Sequence, residues 1–176
     1  MIYTCIYKSK LGSILLSADE IGLTGLWFEG QKYFANTLPE EHISQETSIL
    51  TEAKKWLDVY FSGVEPKFTP ALHPTGSTFR QAVWQILLQI SYGQTITYGE
   101  IARQMSEIQN TPHMSAQAVG GAVGHNEISI IIPCHRVVGS NGSLTGYAGG
   151  IDKKIALLKL EHTDMSHLFA PKKAQK

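Results

Sequence analysis

Cys134 and His135 stand side by side and hold the clearest chemistry in this 176-residue chain. An ordinary thiol is only a few per cent thiolate at neutral pH, so a nucleophilic cysteine needs a base within reach. An imidazole supplies one, directly or through a water. A carboxylate on its far nitrogen sets the tautomer and stabilises the imidazolium. Glu161, at the end of a helix expected over residues 151–160, is placed to be that carboxylate. Neighbouring side chains on a regular strand point to opposite faces. Residues 128–132 read as a buried strand halted by Pro133, which has no N–H to give a ladder. The bend expected at Pro133 would let thiol and imidazole share one pocket. A cysteine alone is ordinarily a buried, inert side chain; the adjacent histidine and the bend set Cys134 apart.

The elements that must position this pair fall into two parts. Residues 2–8, 13–17 and 23–28 read as antiparallel strands, with turns at Lys10-Leu11-Gly12 and Asp19-Glu20-Ile21-Gly22. Residues 31–46 are polar and without a clear period. Leu50, Ala53, Leu57, Tyr60 and Phe61 then fall on one helical face that ends at Ser62-Gly63. Three prolines (Pro66, Pro70 and Pro74) mark a connector. The expected division is an N-terminal β-rich domain over residues 1–70, a C-terminal domain over 75–165 and a tail over 166–176. In the second part Phe79, Ala82, Val83, Ile86, Leu87 and Ile90 predict an amphipathic helix, capped by Ser77 or Thr78 and ended by Gly93. Thr97-Tyr98-Gly99-Glu100 has the pattern of a capping box, which starts a short helix from Tyr98 to about Met105. Residues 106–114 read as a loop, and Ser115 caps a third helix over 116–123. Such a pair could be a helix-turn-helix, although the spacing alone suits ordinary core helices equally well. Adjacent Gly120 and Gly121 each cost about 1 kcal/mol against alanine in a helix. Close approach of another backbone, or tight packing on a neighbouring helix, has to compensate. Residues 139–150, with Gly146, Tyr147, Gly149 and Gly150, read as a mobile pocket wall or an ordinary loop. The fold class is therefore α/β of the α+β kind: a small antiparallel sheet with a helix, then a mainly helical part with the reactive cysteine at a short strand end.

Composition removes several classes. At 43% hydrophobic and 17% charged, the chain can bury a core. Its longest strongly apolar run, residues 128–133, falls far short of the ~20 residues of a membrane span. Lys8 and Lys10 interrupt any signal-peptide pattern. Two cysteines without a CxxC or zinc spacing suggest free thiols in a reducing compartment. Fifteen basic and fifteen acidic residues cancel. Residues 1–74 hold six basic and nine acidic residues, and residues 75–176 nine and six, hence −3 and +3. Chance produces a split of that size, yet it places any polyanion-binding face in the second part.

Pro133-Cys134-His135-Arg136-Val137-Val138 resembles the signature of the O6-alkylguanine-DNA alkyltransferases. The resemblance extends through residues 79–89, Thr97-Tyr98-Gly99-Glu100-Ile101-Ala102, Ala118-Val119-Gly120 and Leu144-Thr145-Gly146-Tyr147-Ala148-Gly149-Gly150, in the family's order and spacing. Residues 1–70 resemble the family's variable N-terminal domain only in outline. The resemblance implies a single-turnover S-methyltransferase: Cys134 takes the alkyl group from guanine O6 and is not regenerated, with O4-alkylthymine left open as a second substrate. His135 would be the base, acting through a water, Glu161 the carboxylate behind it, and Asn126 the residue ordering the turn. Tyr98 would help rotate the nucleotide out of the duplex, and Val137, Tyr147, Ala148 and Gly149 would hold the flipped base. The helix carrying Gln117, Ala118 and Gly120 would enter the minor groove of double-stranded DNA, with Arg136 among the DNA-binding residues. Base flipping costs a few kcal/mol, less at a weakened pair. Gln117 departs from the arginine common at that position. The family's occasional zinc needs four ligands, for which only Cys5, His42 and His73 are candidates, so no metal and no cofactor are expected. A cytoplasmic monomer is expected as well. Two other classes compete on the residues alone: a cysteine hydrolase using Cys134 and His135, and a helix-turn-helix regulator in which Cys134 is merely buried.

Overall fold

The computed structural model describes residues 1–171. Three antiparallel strands open the chain: β1 (Tyr3–Ser9), β2 (Gly12–Ala18) and β3 (Leu23–Phe28). A two-residue turn joins the first pair, with Gly12 at φ +111°. The Asp19 carboxylate closes the second turn by accepting from the N–H groups of Ile21 (2.8 Å) and Gly22 (2.9 Å). Within the stretch read as aperiodic, a two-residue strand β4 (Ile43–Ser44) adds in parallel to β1, giving the order β3-β2-β1-β4. Helix α1 (Ser48–Phe61) lays Leu50, Ala53, Trp56, Leu57, Tyr60 and Phe61 on the sheet. Burial of that face stabilises it by roughly 1.5–3 kcal/mol per large side chain.

The second part is helical. Ser77 caps α2 (Thr78–Leu88), and Gln89, rather than Gly93, ends it. A second small sheet pairs β5 (Ile96–Thr97) in parallel with β6 (Val137–Val138). Helix α3 (Tyr98–Gln109) follows directly, and α4 (Ala116–Gly124) is capped by Ser115 as expected. Only half of the expected capping box forms. The Thr97 hydroxyl accepts from the Glu100 N–H at 3.1 Å, but the Glu100 carboxylate turns outward to Arg103. Helix α3 also runs past Met105 to Gln109, where Asn110 in the left-handed region stops it. The last helix, α5 (Ile151–Leu160), ends at Glu161.

The expected strand at 128–132 is not a strand. Ile128 makes a single bridge to Leu26 on the free edge of β3, with hydrogen bonds Leu26 N–H to Glu127 O (2.8 Å) and Ser129 N–H to Leu26 O (3.0 Å). The chain then coils into turns, with Ile130 at φ +71°. Two local interactions override the β-propensity of four isoleucines. The Asn126 side chain donates to Ile132 O (2.6 Å) and accepts from Ile128 N–H (3.0 Å), so the backbone groups find partners without a ladder. The connector before α2 pairs on the same edge of β3, at Leu23. The N-terminal sheet therefore fixes both the connector before α2 and the start of the loop that leads to Cys134.

Candidate active site

Cys134, His135 and Arg136 form one tight 3-10 turn, all three buried, that leads into β6. The left-handed Ile130 is costly for a β-branched residue, the kind of backbone strain that gathers at functional sites. The His135 imidazole donates from Nε2 to Glu161 Oε2 at 2.5 Å. Glu161 also accepts from the Tyr60 hydroxyl (2.6 Å) and from Arg136 Nε (2.7 Å). With Nε2 carrying the proton, Nδ1 of the neutral ring is an acceptor, and it is buried with no partner among the described residues.

Burial pushes the Glu161 carboxyl up, but His135 and Arg136 outweigh it and hold the group at about 2, so it is ionised. Burial pushes the His135 imidazole down, only partly opposed by Glu161, so the ring rests neutral. Burial also pushes the Cys134 thiol up, while the Asn126 side chain and the Lys154 charge pull it back in part. The resting site is therefore a neutral thiol beside a neutral imidazole that is backed by a carboxylate.

Around this centre stand most of the residues expected there. Thr97 pairs with Val138, and that register brings Tyr98 to the cysteine. The Tyr98 hydroxyl donates to Thr145 O at 3.3 Å; burial, with the Cys134 charge, pushes its pKa up to about 12, so it stays a neutral donor. Tyr147 is buried with its ring edge-on to His135 at 6.4 Å. Its hydroxyl makes no hydrogen bond of normal geometry, although Ser129 lies beside it. Val137 is buried, and Ala148 lies half-buried in the loop after it. At Gly149 a Cβ would meet the Tyr147 ring at 2.7 Å, so only glycine lets the loop lie there. Gln117 and Ala118 are exposed on α4, whose Val119, Ala122 and Val123 face the core. A Cβ built at Gly120, Gly121 or Gly124 meets nothing within 4 Å. Packing on a neighbouring helix therefore does not explain these glycines, and the open side of α4 is left thin. That side, with Tyr147, Ala148 and His125, bounds a cleft of about 360 Å³.

Three basic residues are engaged by partners of the chain itself. Arg136 is not a surface group: its guanidinium is held by Glu161, by Ile90 O (2.7 Å) and over the Tyr92 ring. Lys154 is fully buried, and its ammonium donates to Val137 O (2.5 Å) and Thr145 O (2.8 Å). Burial lowers its pKa to about 8, against the opposing pull of Cys134. Arg103 is tied to Glu100 and Glu107, each at 2.6 Å. A signal for Lys154 was present, since Lys154, Leu157, Leu158 and Glu161 share one helical face. Nothing in the sequence links Tyr60 to Glu161, 101 residues away.

Residues 1–74 match the family model described as 6-O-methylguanine DNA methyltransferase, ribonuclease-like domain, and residues 78–163 match the DNA binding domain of the same family. The methylated-DNA–protein-cysteine methyltransferase of Methanosarcina acetivorans is 43% identical over 161 residues, 91% of this chain and 98% of that protein. The Haemophilus influenzae protein of the same name is 41% identical, covering 91% of this chain and 86% of its own length. Among solved structures, the O6-methylguanine methyltransferase of Mycobacterium tuberculosis superposes with a TM-score of 0.76 at 40% identity, covering 92% of this chain and 93% of that one. The OGT protein of that species in complex with DNA gives 0.75 at 41% identity, covering 91% of each chain. With family matches over both parts of the sequence and relatives above 40% identity along most of their length, the chain belongs to the O6-methylguanine-DNA methyltransferase family.

Proposed function

We propose that the chain repairs O6-methylguanine in DNA by moving the methyl group onto its own Cys134, once per molecule. The observation that carries this reading is a buried Cys134 that shares one tight turn with an imidazole whose Nε2 is locked on Glu161 and whose Nδ1 has no partner among the described residues. Cys134 Sγ attacks the methyl carbon, the carbon–O6 bond breaks, and its electron pair leaves with the guanine. His135 Nδ1 takes the thiol proton, directly or through a water, and returns it through solvent to the departing guanine. Glu161 stabilises the imidazolium between those two events. The product is a thioether, which has no easy route back to a thiol, so the protein reacts once.

Asn126 holds the loop in register, and Lys154 offsets part of the cost of charge on sulfur. Val137, Tyr147, Ala148 and Gly149 hold the extrahelical base. Helix α4 lies in the minor groove with its glycines toward the DNA, Gln117 enters the vacated stack, and Tyr98 helps turn the nucleotide out. The chain works as two parts, residues 1–70 and 75–165, joined by the proline-rich connector. An acceptor thiol must stay reduced, which suits the cytoplasm. Among the described residues no helix is long and apolar enough to cross a membrane.

Incubation with duplex DNA carrying O6-methylguanine, followed by peptide mass spectrometry, tests this. The Cys134 peptide gains the mass of one CH2 per protein molecule. Cys134→Ala and Cys134→Ser bind the same duplex and gain nothing. Full transfer in Cys134→Ser with the adduct on Cys5 would sink the assignment. A hydrolase would release product repeatedly from an ester, and a regulator would bind DNA without any adduct.

A further inference from the structure

The cleft beside α4 has one wall that the C-terminal part does not supply. Residues 31–38, which follow β3, cross to it, and Lys32 and Tyr33 line it together with Gly120, Gly121, Gly124 and His125. This strap is pinned at both ends. The Lys32 N–H donates to Ala148 O at 3.0 Å, and Thr37 Oγ1 donates to the buried Glu127 carboxylate at 3.4 Å, where the Trp27 indole also donates at 2.8 Å. Between the pins Tyr33 stacks on His125, with ring centroids 4.1 Å apart and planes 24° from parallel. The Lys32 ammonium sits 5.1 Å from the Tyr33 ring centre. His125, Tyr33 and Lys32 thus make three tiers that rise from the residue capping the C-terminal end of α4. Tyr33 (φ +61°) and Ala35 (φ +52°) both adopt the left-handed backbone that side chains disfavour. Strain of that kind persists where the surroundings over-determine it, and it gathers at functional sites. Lys32 is exposed, and every ion pair among the described residues lies elsewhere. On the repair reading the cleft opens toward the DNA backbone, and a cation at its mouth is placed to meet a phosphate.

We propose that the strap of the N-terminal part belongs to the DNA interface: Lys32, held in place by the Tyr33–His125 stack, grips a DNA phosphate. Lys32 is the contact, and Tyr33 is a positioning residue that acts through it. The proposal rests on the repair reading above.

The test measures transfer from a methylated duplex against protein concentration at several salt concentrations, and transfer from the free O6-methylguanine nucleoside, for Lys32→Ala, Tyr33→Ala, Tyr33→Phe and the Lys32/Tyr33 double variant. Lys32→Ala raises the half-saturating concentration on duplex roughly five- to tenfold near 0.1 M salt and flattens the log–log salt slope by about 1. Its limiting rate changes far less. Tyr33→Ala reproduces both effects, the double variant is no worse than either single one, and Tyr33→Phe restores the wild-type values. Losses on the nucleoside are several-fold smaller than on duplex. An unchanged salt slope in Lys32→Ala overturns the proposal, as does equal loss on both substrates, which would make the strap a mere prop for the pocket. Additive single-variant effects would remove the positioning role of Tyr33. If Tyr33→Ala does not fold, Lys32→Ala and Tyr33→Phe still decide. Failure of the wild-type chain to take methyl from either substrate would instead overturn the repair reading.

Discussion

Because burial raises the Cys134 thiol and lowers the His135 imidazole, the reaction is sensitive to pH in a particular way. A base whose pKa lies below its usual value stays neutral, and therefore competent, to pH values below the ordinary imidazole range near 6.5. Transfer by the wild-type protein should hold its rate down through that range before it falls. His135→Ala leaves only the spontaneously ionised thiol. Its rate should climb about tenfold per pH unit across neutrality, and the gap to wild type should narrow as pH approaches the thiol value. Single-turnover rates from pH 5.5 to about 9 check this, and parallel pH profiles would show that His135 only supports the fold. Tyr98 predicts differently. Its hydroxyl is neutral throughout that range, so Tyr98→Phe should lower the rate by the same factor at every pH.

Helix α4 carries two predictions that pull stability and function apart. Gly121→Ala adds a methyl into open space, and alanine gains about 1 kcal/mol over glycine in a helix interior. The variant should melt higher yet bind duplex more weakly, because the added methyl occupies the room that DNA backbone needs. Calorimetry beside a binding titration checks both signs, and a variant that binds as well as wild type would return the glycines to a purely structural role. Gln117 is exposed at the start of the same helix. It can insert and hydrogen-bond an orphaned base but lacks the cation–π gain of arginine, worth ~0.5–2 kcal/mol. Gln117→Arg should tighten duplex binding and steepen its salt dependence, and Gln117→Ala should slow repair of duplex more than of single strands. Equal slowing on both would remove the plug.

The two halves of the chain meet at the active site rather than at a distant seam. Tyr60 of α1 donates to Glu161, and the free edge of β3 carries the loop before Cys134. Removing the carboxylate in Glu161→Gln leaves Arg136 buried without a counter-charge, which costs about 3–5 kcal/mol in comparable sites. Acid should act through the same cluster. His135 has a depressed folded pKa, so the unfolded chain gains its proton first and stability begins to fall below about pH 6.5. Glu161, held at about 2, contributes stability that is complete above its unfolded value near 4.5 and is lost as pH drops toward 2. Denaturant midpoints between pH 7 and 3 should show both steps, and Glu161→Gln should lose the lower one. Binding should also be only modestly salt-dependent. With Arg136, Lys154 and Arg103 engaged by partners of the chain itself, only Arg80, Lys153 and Lys159 remain for phosphates among the described residues of the C-terminal part, and a log–log slope steeper than about −6 would contradict so thin a set.

The local chemistry of this protein was legible from residue types and spacing. Cys134 beside His135, Glu161 at a helix end, Ser77, Thr97 and Ser115 as caps, and the stripe that becomes α1 all follow from patterns a few residues long, in which the deciding interactions are neighbours along the chain. Tertiary structure decided whatever depended on partners far away. Residues 128–132 have the composition of a strand, but only Ile128 bridges to the β3 edge, and beyond it the Asn126 side chain takes up backbone groups that a ladder would have used. Lys154 and Arg136 have the formula of surface cations. The carbonyls of Val137, Thr145 and Ile90 and the carboxylate of Glu161 draw them inside, because a buried charge is tolerated only where such groups converge. The strap over residues 31–38 has no periodicity at all, since its conformation is imposed by His125, Ala148 and Glu127, none of which is its neighbour in sequence.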